Sequence, residues 1–373
     1  SFMIRRYCFL IILLLVYFLV SCNKDPVGFN ELERELSVPL SQTIYPIEQY
    51  CYGKNVPLGW ADYLVLGKNN EYESRILLKF PIDTLTLDGI TSLNLVLYPY
   101  KYNGINFDIY LITKISEWQE NSVTWNRTYE GQSWLNPGGD YYPHLITNVD
   151  LTTDSCIISI GVNPALLDTL RTYANGFILI PTSNGLFATI NSRHIGKAPK
   201  LVVEYGATKK TFTATQDAHI IKAINLTPDP YQDAWLGAGY PFRTMLKFDL
   251  DSIPDNTTIV FAELVLPVQS SFSLSDTFDI AVWKVLEPYF ASFTSFADNR
   301  FAQSRFHSST DSVIKFDLRN IVQFWKTKPD SNFGILISCY PQNHEISRVQ
   351  LRTNPVGPYL KVAYILPPER RFK

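Results

Sequence analysis

The sequence has few charged residues, few cysteines and no run of basic side chains. Charged residues make up 18% of the 373 residues, which is low for a cytosolic enzyme, and the formal net charge is −2. Without a basic patch, nucleic acid is not an expected partner. None of the five cysteines forms a CxxC pair or a zinc-type spacing. We therefore expect no disulfide framework and no metal site.

Catalytic and cofactor motifs are also missing. The chain has no P-loop, GxGxxG, HExxH, nucleophile elbow or EF-hand loop, and its five histidines are scattered. Carboxylate pairs of the glycosidase kind stay open, because such pairs can come from distant strands. The internal duplication described below argues against a single active site. We therefore expect a protein that is not an enzyme and holds no cofactor.

The N-terminus carries an export signal. Arg5 and Arg6 precede an apolar stretch from Tyr7 to Val20, which is too short for a membrane span and suits a signal peptide. Its end, LVSC at residues 19–22, resembles the bacterial lipobox, which implies lipidation of Cys22. This predicts a signal peptide over residues 1–21, a lipidated tether over 22–41 and a surface-exposed protein of the outer membrane. The alternative is an ordinary secretory signal.

The remaining chain repeats itself. RILLKF at residues 75–80 returns as RTMLKF at 243–248, and the flanking segments repeat as well, for example LNLVLY at 93–98 and AELVLP at 262–267. The offset starts at 168 residues and drifts to about 158, so each copy is a domain and not a solenoid unit. We place the two domains at residues 42–206 and 207–367, followed by a tail at 368–373. A cut between Tyr205 and Thr211 should leave two halves that fold alone.

Most of each copy has the alternation of a half-buried strand. Leu93, Leu95 and Leu97 alternate with other side chains, as in an antiparallel sheet with one face on a core. Each copy also has one short helix, which starts at Asn163-Pro164 in the first and follows Leu318 in the second. The prediction is all-β: two tandem jelly-roll-like sandwiches with one helix each, in a monomeric protein.

Several of these segments resemble the DNRLRE domain family. The resemblance rests on RILLKF, on WQENSVTW at residues 118–125 and on the ending PKLVVEY at 199–205. It covers most of residues 42–206 and, more weakly, 211–366. The second copy departs from it by having LEPY at 286–289, and Arg193 stands where the family often has Glu.

The resemblance implies secreted β-sandwich modules, some of which bind alginate-type polysaccharide. It therefore predicts a non-catalytic lipoprotein that binds an extracellular polysaccharide. The alternative is a structural or adhesion protein whose sandwiches bind other proteins or envelope components.

Two groups of residues are candidates for the glycan site. The first is a basic strip in each copy, which would select acidic glycans through Arg75, Lys79 and Arg193 in one and Arg243, Lys247 and Arg352 in the other. The alternative is that these cations pair across strands with Asp108, Asp279 or Glu204.

The second group is an aromatic loop. Trp134, Tyr141 and Tyr142 lie in a stretch rich in Gly and Pro, where binding residues are common. The alternative for these three rings is packing that anchors the loop, and Trp118 and Trp125 are expected to belong to the structural framework.

Overall fold

The structure is a computed structural model that describes residues 38–367 apart from 83–85, 87, 173, 289–295, 297–298 and 344. The predicted lipidation site Cys22 and most of its tether lie outside this range. The described chain is all-β, as predicted, with two short α-helices. These are α1 Pro164–Thr172 and α2 Arg319–Thr327, and a 3-10 turn follows at Pro329–Ser331. None of the helices described is long and apolar enough to cross a membrane.

Sixteen strands lie between residues 40 and 223. They are β1 Leu40–Ile44, β2 Pro46–Gly53, β3 Tyr63–Lys68, β4 Tyr72–Lys79, β5 Ser92–Leu97, β6 Pro99–Lys101, β7 Ile105–Thr113, β8 Arg127–Tyr129, β9 Gln132–Ser133, β10 Thr147–Leu151, β11 Cys156–Ser159, β12 Ala174–Pro181, β13 Leu186–Asn191, β14 Lys200–Tyr205, β15 Thr208–Thr213 and β16 Gln216–Ala223.

Nine more strands follow. They are β17 Trp235–Ala238, β18 Phe242–Phe248, β19 Thr258–Ser273, β20 Thr277–Lys284, β21 Ala302–His307, β22 Val313–Asp317, β23 Ile335–Tyr340, β24 Ser347–Leu351 and β25 Tyr359–Ile365.

The first sandwich packs an eight-stranded sheet on a four-stranded one. The larger sheet has the order β10-β7-β12-β4-β3-β13-β6, with β16 paired to β4, and the smaller has the order β11-β5-β14-β15. Alternation places one face of each strand in the core, so that Phe107, Ile109 and Leu111 of β7 are buried while Asn106 is exposed. The helix α1 covers this core through Leu167 and Leu170.

The outer face of the larger sheet is also covered. Trp118, Trp125 and Trp134, on the long connection between β7 and β10, pack with Leu77 of β4 and Ile178 of β12. A sheet that is apolar on both faces needs cover on both, and this connection supplies the second cover. Trp118 and Trp125 are therefore framework residues, as expected.

The second sandwich repeats the plan. Its sheets have the orders β2-β18-β23-β20-β21 and β1-β25-β19-β24-β17, with β22 paired to β19. Helix α2 buries Ile321, Val322 and Trp325 against it. The cysteines Cys51, Cys156 and Cys339 are free and buried.

The strand pairing crosses the boundary drawn from the repeats at residues 206 and 207. The N-terminal strands β1 and β2, at residues 40–53, lie in different sheets and pair with β25 and β18 of the second sandwich. Strands β15 and β16 pair instead with β14 and β4 of the first. A cut between Tyr205 and Thr211 would therefore detach two strands from the first sandwich, so it does not separate two complete folding units.

The two pairings have the same register. Lys79 of β4 faces Gln216, and the repeat-related Lys247 of β18 faces Glu48. Lys79 and Lys247 are 168 residues apart, and so are Glu48 and Gln216, which is the offset between RILLKF and RTMLKF. The N-terminal strands β1 and β2 are thus the repeat equivalents of β15 and β16. The first sandwich is continuous over residues 63–223, whereas the second combines residues 40–53 with 235–365.

The two sandwiches also share an apolar contact. Val65, Tyr72 and Ile221 of the first pack with Phe272 and Ile346 of the second. An ion pair of 2.9 Å joins Arg348 Nη2 of the second to Glu71 Oε1 of the first. The junction is therefore a packed interface and not a free linker.

Candidate functional site

The structure does not assemble the basic strip of the first sandwich. The Arg75 guanidinium bonds Glu73 at 2.7 Å and the Gly138 carbonyl at 2.9 Å, and it lies 4.7 Å from the Trp125 ring centroid. Lys79 lies 3.9 Å from Glu117. These cations are neutralised by partners within the sandwich, although not by the partners expected from the sequence.

Arg193 is held as well. It follows β13, which is separated from β4 by β3, and its guanidinium binds both carboxylate oxygens of Glu120 at 2.7 Å. It does not continue a strip with Arg75.

The second sandwich gives the same result. Arg243 is 8% exposed, donates to Gln342 and lies near the rings of Tyr52 and Phe296. Lys247 pairs with Glu48 at 3.1 Å. Arg352 is exposed, but it follows β24 and so belongs to the opposite sheet from Arg243. The three cations do not form one surface.

The aromatic loop predicted from the sequence is packed. Trp134 is 4% exposed and its Nε1 donates to the Thr124 carbonyl at 2.9 Å. Tyr141 lies 4.9 Å from the Tyr110 ring, and Tyr142 packs against the core of the first sandwich. The structure favours the loop-anchoring alternative, because Trp134 is buried and the partly buried Tyr141 and Tyr142 pack against other side chains of the first sandwich.

A different set of aromatic residues is exposed, at the junction of the two sandwiches. A groove with a cavity of about 200 Å³ lies there, and we call it the junction groove. Its first wall is the segment 60–63 that enters β3, and its second wall comes from Pro341, Asn343 and Glu345 between β23 and β24. The lining residues are Trp60, Ala61, Asp62, Tyr63, Pro341, Asn343 and Glu345.

Two aromatic groups make this groove suited to a flat ligand. Trp60 is 63% exposed even though it is the largest of the side chains in the wall. Tyr63 stacks on Tyr100 with the ring centroids 4.5 Å apart and the planes 20° apart, and Tyr100 is also exposed. Exposed rings at a concave place, beside a few polar groups, are typical of ligand sites.

The sequence contained a signal for Trp60 that the repeat analysis did not use. Trp60 follows Pro57 and Gly59 in a connection, directly before a strand, which is where loops carry functional side chains. Its neighbours across the groove, from Pro341 to Glu345, lie 281 to 285 positions further along the chain, and no local sequence pattern indicates that contact.

The Trp60 ring contacts the ring of His194, which in turn contacts Glu120. The His194 ring lies 4.9 Å from the Trp60 ring, with 30° between the planes. His194 Nε2 lies 3.2 Å from Glu120 Oε1. Glu120 also accepts the Arg193 fork and the backbone N–H of Asp217, at 3.1 Å. We call Glu120, Arg193, His194 and Asp217 the support cluster.

The charges in the support cluster are unequal. Burial alone would raise the pKa of Glu120, but hydrogen bonds from Arg193 and the Asp217 amide hold that pKa below its usual range. Burial raises the pKa of Asp217 to about 7, and the neighbouring Glu120 charge adds to the rise. Asp217 Oδ1 is buried without a hydrogen-bond partner among the described residues. Within the cluster, Glu120 therefore stays ionised, whereas Asp217 keeps its proton up to about neutral pH.

Glu120, His194 and Asp217 also offer metal-ligand atoms within 4.8 Å of one another. The donor set alone would suit a divalent cation. However, Arg193 already bonds both oxygens of Glu120, so a metal ion would have to displace a guanidinium from a bidentate pair. The geometry fits a positioning role behind Trp60 better than a metal site.

A larger cavity of about 500 Å³ lies at the end of β18. Four of its charged lining residues form ion pairs with one another: Lys247 with Glu48 at 3.1 Å and Lys326 with Asp255 at 3.2 Å. Its large aromatic side chains, such as Phe248 and Trp325, are buried in the core. This cavity is larger than the junction groove, but it offers no exposed indole face comparable with that of Trp60. We therefore place the candidate site in the junction groove.

Comparisons with known proteins give few matches. The family model described as TGF-beta propeptide matches residues 197–361, less than half of the chain. No curated protein matches the chain.

Two solved structures are similar over most of their length. One is a protein from Parabacteroides distasonis described as secreted, with 10% identity, 88% of this chain and 100% of that chain covered, and a TM-score of 0.21. The other is the tandem CBM22 domain of Paenibacillus barcinonensis Xyn10C, with 9% identity, 89% and 98% covered, and a TM-score of 0.15. Neither TM-score carries an argument about this chain.

Proposed function

We propose that this protein is a non-catalytic lipoprotein of the bacterial cell envelope that binds extracellular polysaccharide in its junction groove. The observation that carries the proposal is Trp60, which is 63% exposed and backed by His194 in a concave place. Exposing an indole costs free energy that burying it under a ligand would recover. A pyranose ring has a flat face of C–H groups and a rim of hydroxyls, which fits an exposed indole beside polar side chains.

The polar groups of the groove support this ligand class. Asp62, Asn343 and Glu345 line it together with the rings. Side-chain oxygens and amides accept and donate the hydrogen bonds that sugar hydroxyls need. The residues come from both sandwiches, so the proposal gives one site per chain at the junction and not one site per repeat.

The proposed role is binding without hydrolysis. Asp62 and Glu345 are a carboxylate pair in the groove, and such pairs act in glycosidases. Glu345, however, is 4% exposed and accepts a hydrogen bond from the Ser275 hydroxyl. Its position at the base of the groove suits a fixed acceptor rather than a group that reaches a glycosidic oxygen.

Affinity electrophoresis tests the proposal. Residues 22–373 carrying Cys22→Ser, so that no lipid is attached, would be run in gels containing dextran, laminarin, mannan, alginate or polygalacturonate. At least one polymer should retard the protein. Trp60→Ala should weaken binding about tenfold or more, as loss of one well-packed aromatic contact predicts.

The matched control is Tyr231→Ala, since Tyr231 is 70% exposed but does not line the groove. Equal loss in both variants, or no retardation by any polymer, contradicts the proposal. Release of reducing sugar from a retarded polymer contradicts the non-catalytic part.

A further inference from the structure

We infer that the junction groove selects uncharged glycans and excludes glycans whose sugars carry carboxylates. The inference rests on the proposed function and names the ligand class of the same site. It reverses the expectation that basic strips would select acidic polysaccharide.

The charge of the groove is the first argument. Among the residues that line it, the charged ones are Asp62 and Glu345, and both are carboxylates. Glu345 belongs to the segment before β24 and is almost fully buried. A carboxylate in so dry a place is poorly screened, so it repels a second anion more strongly than a surface carboxylate does.

The Tyr63 phenol, which also lines the groove, is affected by both carboxylates. Burial raises the pKa of Tyr63, and Tyr100, Asp62 and Glu345 add to the rise. Negative charge on the Tyr63 oxygen is therefore disfavoured by the groove. A uronate carboxylate in the same place would meet the same environment.

The nearby cations do not offset these charges. Arg193 is engaged by Glu120, and Arg348 by Glu71. Lys101 is exposed, and its ammonium lies 5.7 Å from the ring centroid of Tyr100. It is one solvated charge beside the rings, and it does not line the cavity.

The hydrogen-bonding capacity of the groove points to the same ligand class. Ionised Asp62 and Glu345 can only accept hydrogen bonds, and each neutral sugar hydroxyl can donate one. A carboxylate on the sugar can only accept, so it would face the exposed acceptor Asp62 and the buried acceptor Glu345 without donating a hydrogen bond to either. Neutral glycans match the groove in both charge and donor pattern.

The experiment compares dextran, laminarin and mannan with alginate and polygalacturonate, at low salt and at 0.5 M salt. The wild-type protein should be retarded by a neutral polymer equally at both salt concentrations. The acidic polymers should bind at least about tenfold more weakly at low salt, because like charges repel most there. Asp62→Asn, a substitution at an exposed position, should reduce the difference in affinity between neutral and acidic polymers. Glu345→Gln should reduce that difference further if the variant keeps its melting temperature.

The outcomes separate this inference from the proposed function. Retardation by alginate or polygalacturonate that needs Trp60 and weakens with salt would overturn the inference while leaving a glycan site in place. Absence of any Trp60-dependent retardation would overturn the proposed function itself. An unchanged neutral-to-acidic ratio in the folded Asp62→Asn variant would show that the groove carboxylates do not set the selectivity.

Discussion

Deleting residues 38–53 would remove two strands from the second sandwich and none from the first. The deletion takes away the buried side chains of Ile44 and Tyr52 and uncovers their neighbours on β25 and β18. Full burial of a side chain of this size stabilises a fold by about 1.5–3 kcal/mol, so the two together contribute about 3–6 kcal/mol. Each lost ladder hydrogen bond adds about 0.5–1.5 kcal/mol. Whole domains are stable by only about 5–15 kcal/mol, so the second sandwich should lose cooperative folding.

Hydrogen exchange read by mass spectrometry would locate the effect. Protection should fall in Phe242–Phe248 and Tyr359–Ile365 and should persist in Tyr72–Lys79 of the first sandwich. A synthetic peptide of residues 38–54 should restore protection when it is added to the deleted protein. Deleting residues 208–223 is the matched control, because it should transfer the loss to the first sandwich. Unchanged protection in β18 and β25 after the first deletion would refute the strand assignment.

Three further predictions concern the support cluster and the anchor. The folded state holds a proton on Asp217 up to about pH 7, whereas the unfolded chain releases it near its ordinary pKa, so stability falls as pH rises between these values. The melting temperature of Asp217→Asn minus that of the wild type should therefore be a few degrees larger at pH 8 than at pH 5. A difference that does not change with pH would contradict the buried proton. The emission specific to Trp60, obtained by subtracting a Trp60→Phe variant, should change in His194→Ala because the indole loses the ring that it contacts; an unchanged emission would show that His194 does not contact the indole. Cys22→Ala should leave the membrane fraction and lose fatty-acid labelling, and a variant that stays membrane-bound contradicts lipidation.

The strands could be predicted because their signal is local. Alternation in segments such as 105–113 follows from which face meets the core, and the repeat marks equivalent strands at 168 residues. The repeat does not tell which sandwich a pair of consecutive strands joins, because β16 and β2 have equivalent registers on β4 and β18. That choice depends on chain connection and junction packing, which are nonlocal.

The site could not be predicted for a related reason. Trp134 and Trp60 both lie in connections, and sequence pattern does not distinguish a ring that covers a sheet from one that stays exposed. Arg75 and Arg193 depend on partners 2 and 73 positions away, one local and one remote. The groove combines residues 60–63 with Pro341, Asn343 and Glu345, and only the fold brings these residues together.

A crystal structure with a bound oligosaccharide tests the central claim most directly. The ligand would be a fragment of whichever neutral polymer retards the protein. The account predicts a pyranose ring stacked on the exposed face of Trp60, with hydroxyls donating to Asp62 and Glu345 and the Tyr63–Tyr100 pair at its edge. A sugar bound elsewhere with the junction groove empty, for example at the 500 Å³ cavity beside Lys247, would contradict it.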